Sequence, residues 1–191
     1  SGNVKMSLFN NENIPPALMD GKDILPGHRQ DEPISGIMFY NNSGDECGGL
    51  IYGNEQDDDG NNVYTGASLT FDQYKQDQVV QMHYEDEGGE RRYGFSIYDR
   101  PETPLPDQIT KGEEISQSQM SDAEKEAALR EAYAGHAPRA FMGKNENGDV
   151  SVQLNDSKGQ ARMRMVVDAN DVPRMEFLDE KGNVTYTLPP E

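Results

Sequence analysis

Val150-Ser151-Val152-Gln153-Leu154-Asn155 opens a run in which a short alternating strand ends in Asn or Asp and a polar turn leads into the next strand. The unit returns as Met163-Arg164-Met165-Val166-Val167-Asp168, Met175-Glu176-Phe177-Leu178-Asp179 and Val184-Thr185-Tyr186-Thr187-Leu188. Asp156-Ser157-Lys158-Gly159, Ala169-Asn170-Asp171 and Glu180-Lys181-Gly182-Asn183 separate the strands. Turn chemistry at this spacing leaves room for one strand between turns and none for a helix. The stretch 139–189 therefore reads as an up-and-down antiparallel meander. Alternation assigns its faces: Val150, Val152, Leu154, Met163, Met165, Met175, Phe177, Val184, Tyr186 and Leu188 share one side. Arg162, Arg164, Arg174 and Glu176 occupy the other, which reads as a solvated face.

The same unit stands upstream at Met6-Ser7-Leu8-Phe9-Asn10, Ile37-Met38-Phe39-Tyr40-Asn41 and Phe95-Ser96-Ile97-Tyr98-Asp99. Further strands are expected at 49–53, 67–71, 78–84 and 91–98, with Glu87-Gly88-Gly89-Glu90 as a hairpin turn. Roughly ten strands result, enough for a sheet that curls into a barrel or splits into a sandwich. Residues 10–35 and 99–120, rich in Pro, Asp and Gly, read as long loops. One short helix is inserted at about 121–134, where Ser121 and Glu124 form a capping box and Gly135 and Pro138 stop the run. The expectation is one all-β domain over 1–191, a mostly antiparallel meander, barrel or sandwich with one short inserted α-helix.

Composition narrows the function classes. The chain has 191 residues, a hydrophobic fraction of 34% and a formal charge of −18, and residues 1–138 hold 26 of its 35 acidic side chains. Phosphate backbones and anionic lipid surfaces are bound by Lys and Arg that displace counterions, so nucleic acid and direct membrane-surface binding are not expected. The single cysteine, Cys47, excludes an intrachain disulfide and any multi-cysteine zinc site. Asp45 and Glu46 beside it would raise its thiol pKa, which argues against a nucleophile. His28, His83 and His136 show no ligand spacing among themselves. Gly-rich phosphate loops, Ser-centred elbows and zinc helices do not occur.

Two stretches could carry a site. In Asp57-Asp58-Asp59-Gly60-Asn61-Asn62 the alternate oxygens of Asp57, Asp59 and Asn61 could wrap Ca²⁺, although Gly66 stands where an EF-hand loop has its bidentate Glu. No other cofactor is indicated. In Ser68 to Gln78, planar polar groups lie beside an aromatic ring, as a glycan or peptide ligand would need. Asp72, Gln73, Tyr74, Gln76 and Gln78 are its candidate binding residues.

Gly44-Asp45-Glu46-Cys47-Gly48-Gly49-Leu50-Ile51-Tyr52-Gly53, Ala67 to Val80 and Tyr98-Asp99-Arg100-Pro101, read together, resemble an uncharacterised bacterial family. The resemblance implies a single β-rich domain without assigned activity, often following an N-terminal hydrophobic anchor, hence extracytoplasmic; such an anchor would precede Ser1. The functional expectation is a non-enzymatic binding or structural module with a glycan or protein partner. Its alternatives are a glycan-directed hydrolase using carboxylates such as Asp72 and Asp77, or a homo-oligomeric surface scaffold.

Overall fold

The computed structural model describes residues 2–30 and 32–190. The strands are β1 (Met6–Phe9), β2 (Leu18–Met19), β3 (Lys22–Asp23), β4 (Ile34–Tyr40), β5 (Glu46–Gln56), β6 (Asn62–Asp72), β7 (Gln78–Glu87) and β8 (Glu90–Asp99). After α1 (Leu105–Gln117) and α2 (Asp122–Ala132) follow β9 (Ala137–Lys144), β10 (Val150–Asn155), β11 (Ala161–Val167), β12 (Pro173–Leu178) and β13 (Val184–Leu188). Eleven strands form one sheet in the order β1-β4-β5-β6-β7-β8-β9-β10-β11-β12-β13, and β2 and β3 pair apart from it. Every neighbouring pair is antiparallel. The meander expected for the C-terminal part thus runs through the whole chain. Since β1 and β13 each have a single neighbour, the sheet is open, neither a closed barrel nor two packed layers.

The recurrent Asx at the strand ends has a local cause. Asp57 Oδ1 accepts the backbone N–H groups of Asp59 and Asn61 at 3.0 and 2.8 Å. Asp156, Asp168 and Asp179 do the same for the residues two and four positions on. Each carboxylate closes its own turn and satisfies donors that the ladder leaves free. Gly88 and Gly89, both at positive φ, form the two-residue hairpin between β7 and β8 in the way that right-handed strand twist favours.

The two loops expected from Pro and Gly are more ordered than the sequence suggests. Residues 10–35 contain the β2–β3 ribbon, turned by Asp20 and Gly21 at φ 52° and 71°, and end inside β4. Residues 99–120 contain α1, so there are two helices, not one. Pro104 is the N-cap of α1 and Pro106 lies in its first turn, where a missing N–H breaks no helical bond. The prolines that forbid strand pairing therefore start a helix. In α2 the capping box is present: Ser121 Oγ accepts Glu124 N–H, and Glu124 accepts Ser121 N–H at 2.9 Å. The helices meet where Tyr133 crosses Gly112; a Cβ on that glycine would lie 2.5 Å from the Tyr133 hydroxyl.

Register sets the two faces of the sheet. One cross-strand row runs Leu8, Ile37, Leu50, Leu69, Met82, Phe95 and continues Met142, Val152, Met165, Met175, Leu188. The adjacent row includes Phe39, Phe71, Val80, Ile97, Leu154, Met163, Phe177 and Tyr186. These apolar residues share a side, as alternation implied, but that side is the open one: Met165 is 50% exposed. The opposite, largely polar side is the covered one. Thr70 and Ser96 are buried there, and Glu176 is 8% exposed. Small residues let this face close up: Gly94 pairs with Gly143, and added Cβ atoms there would lie 2.9 and 2.8 Å from the Phe141 ring.

The face of Arg162, Arg164, Arg174 and Glu176 is thus not simply a solvated one. Arg164 Nη2 lies 2.7 Å from Glu176 Oε2, Arg174 Nε donates to Glu176 Oε1 at 2.8 Å, and Arg174 Nη1 donates to Asp168 Oδ2 at 3.0 Å. A carboxylate held between two guanidinium groups and cut off from water is costly to leave uncompensated. Replacing Glu176 by Gln should therefore destabilise the fold by about 1 kcal/mol, since both arginines keep part of their surface in water, read as a lower denaturation midpoint. An unchanged midpoint would restore the solvated-face reading.

Candidate functional site

The β2–β3 ribbon lies against the end of the sheet because three contacts hold it there. Asp45, fully buried, accepts Asp20 N–H at 2.8 Å. Lys75 Nζ pairs with Asp20 Oδ1 at 2.5 Å. Arg29 binds Glu46 through two parallel bonds of 2.8 and 2.7 Å, the bidentate geometry that planar guanidinium and carboxylate groups favour.

Between ribbon, sheet and α1 a cavity of about 340 Å³ remains. Its walls are aliphatic, from Leu18, Met19, Ile24 and Leu25 of the insertion and Leu105 and Ile109 of α1. Its polar lining residues are His28, Arg29, Glu46, Asp72, Gln76, Asp77 and Gln78. Asp72 lines it, and its Oδ1 is buried and has no hydrogen-bond partner. Burial first, and then the neighbouring Glu46 and Asp77 carboxylates, push the Asp72 pKa up to about 7 against the opposing pull of Arg29 and Arg100.

The turn between β6 and β7 is fastened to the helices by a polar relay. Gln76 Nε2 donates to Thr103 O at 2.9 Å and to Gln108 Oε1 at 2.6 Å, and Gln108 Nε2 donates to Ala132 O at 3.0 Å. His136 bridges Gln108 Oε1 and Arg100 Nη1 at 3.2 and 2.9 Å. Arg100 reaches back to Asp77, 3.3 Å away, and to Gln78 O. Burial and the Arg100 charge both lower the His136 pKa. Such a network positions Gln76, Asp77 and Gln78 at the cavity, since each member is placed by the next.

Of the five candidate ligand residues, Asp72, Gln76 and Gln78 line this cavity. Gln76 spends its amide on the relay. Gln73 turns away and donates to Pro101 O at 3.0 Å, and Tyr74 is 68% exposed outside the cavity. His28, Arg29, Glu46, Leu105 and Ile109 were not legible as site residues, because nothing local ties a Pro-rich segment or α1 to Asp72. Asp57, Asp59 and Asn61 form the exposed β5–β6 turn, where Asn61 Nδ2 donates to Asp57 Oδ2 at 2.9 Å. These bonds hold the Asp57 carboxyl below its ordinary range. Among the described residues no three His, Cys, Asp or Glu side chains are grouped as for a metal ion. Cys47 is half-buried, and burial, with Asp72, Glu46 and Asp45, pushes its thiol pKa up. No protein-family model matches the chain, and no curated protein matches it in sequence.

Asp72 makes stability pH-dependent in a definite direction. Its folded pKa of about 7 lies above the ordinary 3.8, so between these values the folded chain keeps a proton that the unfolded chain releases. The contribution is fully present below about pH 4 and is lost as pH rises through 7, amounting to no more than about 4 kcal/mol. Asp72→Asn should leave the melting temperature unchanged at pH 4 and raise it at pH 8. Parallel pH profiles for the two proteins would contradict this assignment.

Proposed function

We propose that the chain is a non-enzymatic binding module whose cavity takes a small molecule with an aliphatic body and a cationic or hydrogen-bond-donating head, such as an aliphatic amine. The observation that carries this reading is Asp72, whose buried Oδ1 has no partner, among the lining residues of a cavity whose walls are largely aliphatic. A buried acceptor left unpaired is costly, and a donating ligand that Asp72 turns to meet recovers that cost. The volume lies at the small end of the range for ligand cavities. An aliphatic wall suits an alkyl body better than a sugar, for which Tyr74 would have been the stacking platform. Binding is favoured over hydrolysis because Glu46 is held by Arg29 and Asp77 by Arg100. Asp72 is thus left without a free carboxylate beside it to share acid and base roles.

The test is a thermal-shift and calorimetric titration with linear alkylamines of four to eight carbons, beside alcohols and carboxylates of the same lengths. Amines should bind, more tightly at pH 8 than at pH 5 because Asp72 must ionise to pair with them, and Asp72→Asn should weaken binding at least tenfold. Indifference to the whole series, or equal binding by the Asn variant, would end this reading.

A further inference from the structure

We infer that the open apolar face of the sheet is an interface that a second copy of this chain covers. The face crosses all eleven strands, and no charged side chain lies in the two central rows that contain Leu50, Met82 and Met142 or Phe71, Ile97 and Leu154. A single copy lacks an ordinary core. Among the described residues the buried apolar side chains on the large sheet are Met38, Tyr40, Ala137, Val166 and Leu178, none of them in those two rows.

Area states how much must be covered. The chain exposes 12278 Å², about a third more than the roughly 9,100 Å² expected for a compact monomer of its mass. That excess of about 3,000 Å² is several times the roughly 800 Å² that each partner contributes to a standard stable interface.

The choice of occupant follows from shape and charge. Eleven strands spaced about 4.8 Å apart make a pleated plate about 50 Å across, and an occupant must match it over much of that span. Another copy has the same pleat and the same apolar rows, and two sheets stack face to face about 10 Å apart with interdigitating side chains. The carboxylates behind the charge of −18 lie outside the two rows, so stacking sets none of them against another there. That same charge repels anionic lipid. A shallow groove of about 610 Å³ along Met142, Val152, Met165 and Leu188 supplies relief into which side chains of a second copy can lock.

The experiment uses the chain as it stands. Sedimentation equilibrium should give twice 21.3 kDa or a higher multiple at micromolar concentration. Peroxide oxidation, read residue by residue by mass spectrometry, supplies an internal control. Met82, Met142 and Met165 are 53, 56 and 50% exposed in the single chain and Met120, between the helices, 47%, so an uncovered face would oxidise all four alike. In the assembly Met82, Met142 and Met165 should react at least fivefold more slowly than Met120. The difference should disappear in the variant Met82→Glu/Met142→Glu, which should sediment as a monomer with an unchanged far-ultraviolet circular dichroism spectrum. A monomeric chain would overturn the inference, and one that binds neutral lipid vesicles would assign the face to a membrane instead. An oligomer whose three face methionines oxidise as fast as Met120 would also overturn it, since assembly would then run through the free edges of β1 and β13.

Discussion

Leu8 stands opposite Ile37, Ile37 opposite Leu50, and the succession continues without interruption to Leu188, so that slipping any strand by one residue would turn its apolar set to the polar side. This cross-strand register holds through several bulges, among them those at Phe39/Tyr40 and Phe71/Asp72 near the insertion end of the sheet. From it follow the separation of the two faces, the polar ladder that includes Thr70, Ser96 and Glu176, and the apolar plate. Antiparallel sheets commonly bury their apolar side and wet the other. In this chain one copy covers the polar side instead, using small residues and paired charges, and leaves the apolar side open.

The insertions depend on the same sheet but obey different physics. The ribbon and the two helices gather at the sheet end where β6 turns into β7, and they are held mainly by polar bonds: Asp45 to Asp20, Arg29 to Glu46, Gln76 to Gln108 and His136 to Arg100. Those bonds satisfy nearly every polar group at the junction. Asp72 is the exception, surrounded by arginines already engaged with other carboxylates. Its Oδ1 is buried without a partner, beside the aliphatic walls of the cavity.

Much of the architecture was legible locally. Alternation and Asx turns sufficed for the meander, the hairpin at Gly88-Gly89 and the assignment of side chains to common faces, because each depends on residues within a few positions of one another. Ser121 and Glu124 sufficed for α2 for the same reason. The segment around α1 was misread, since proline argues equally against a strand and for a first helical turn, and long-range contacts, among them Gly112 against Tyr133 and Gln108 bonded to Gln76, distinguish the two. Of the candidate site, Asp72, Gln76 and Gln78 stood in a stretch whose polarity was visible. Their partners Arg29, Glu46 and Ile109 lie 26 to 43 positions away from Asp72, in segments that carry no mark of their own.

Most of the large sheet's strands, their antiparallel meander and which side chains point the same way were determined by the sequence, as consequences of a period of two and of turn chemistry; β2 and β3, in a stretch that reads as a loop, were not. The tertiary structure alone decided that the sheet stays open, which of its faces is covered, and that Asp72 is half-buried with its Oδ1 unpaired beside an aliphatic wall. Those outcomes turn on strand closure, on the packing of small residues around Phe141 and on where two insertions fold back. Each is a long-range balance of packing and desolvation that no local pattern encodes.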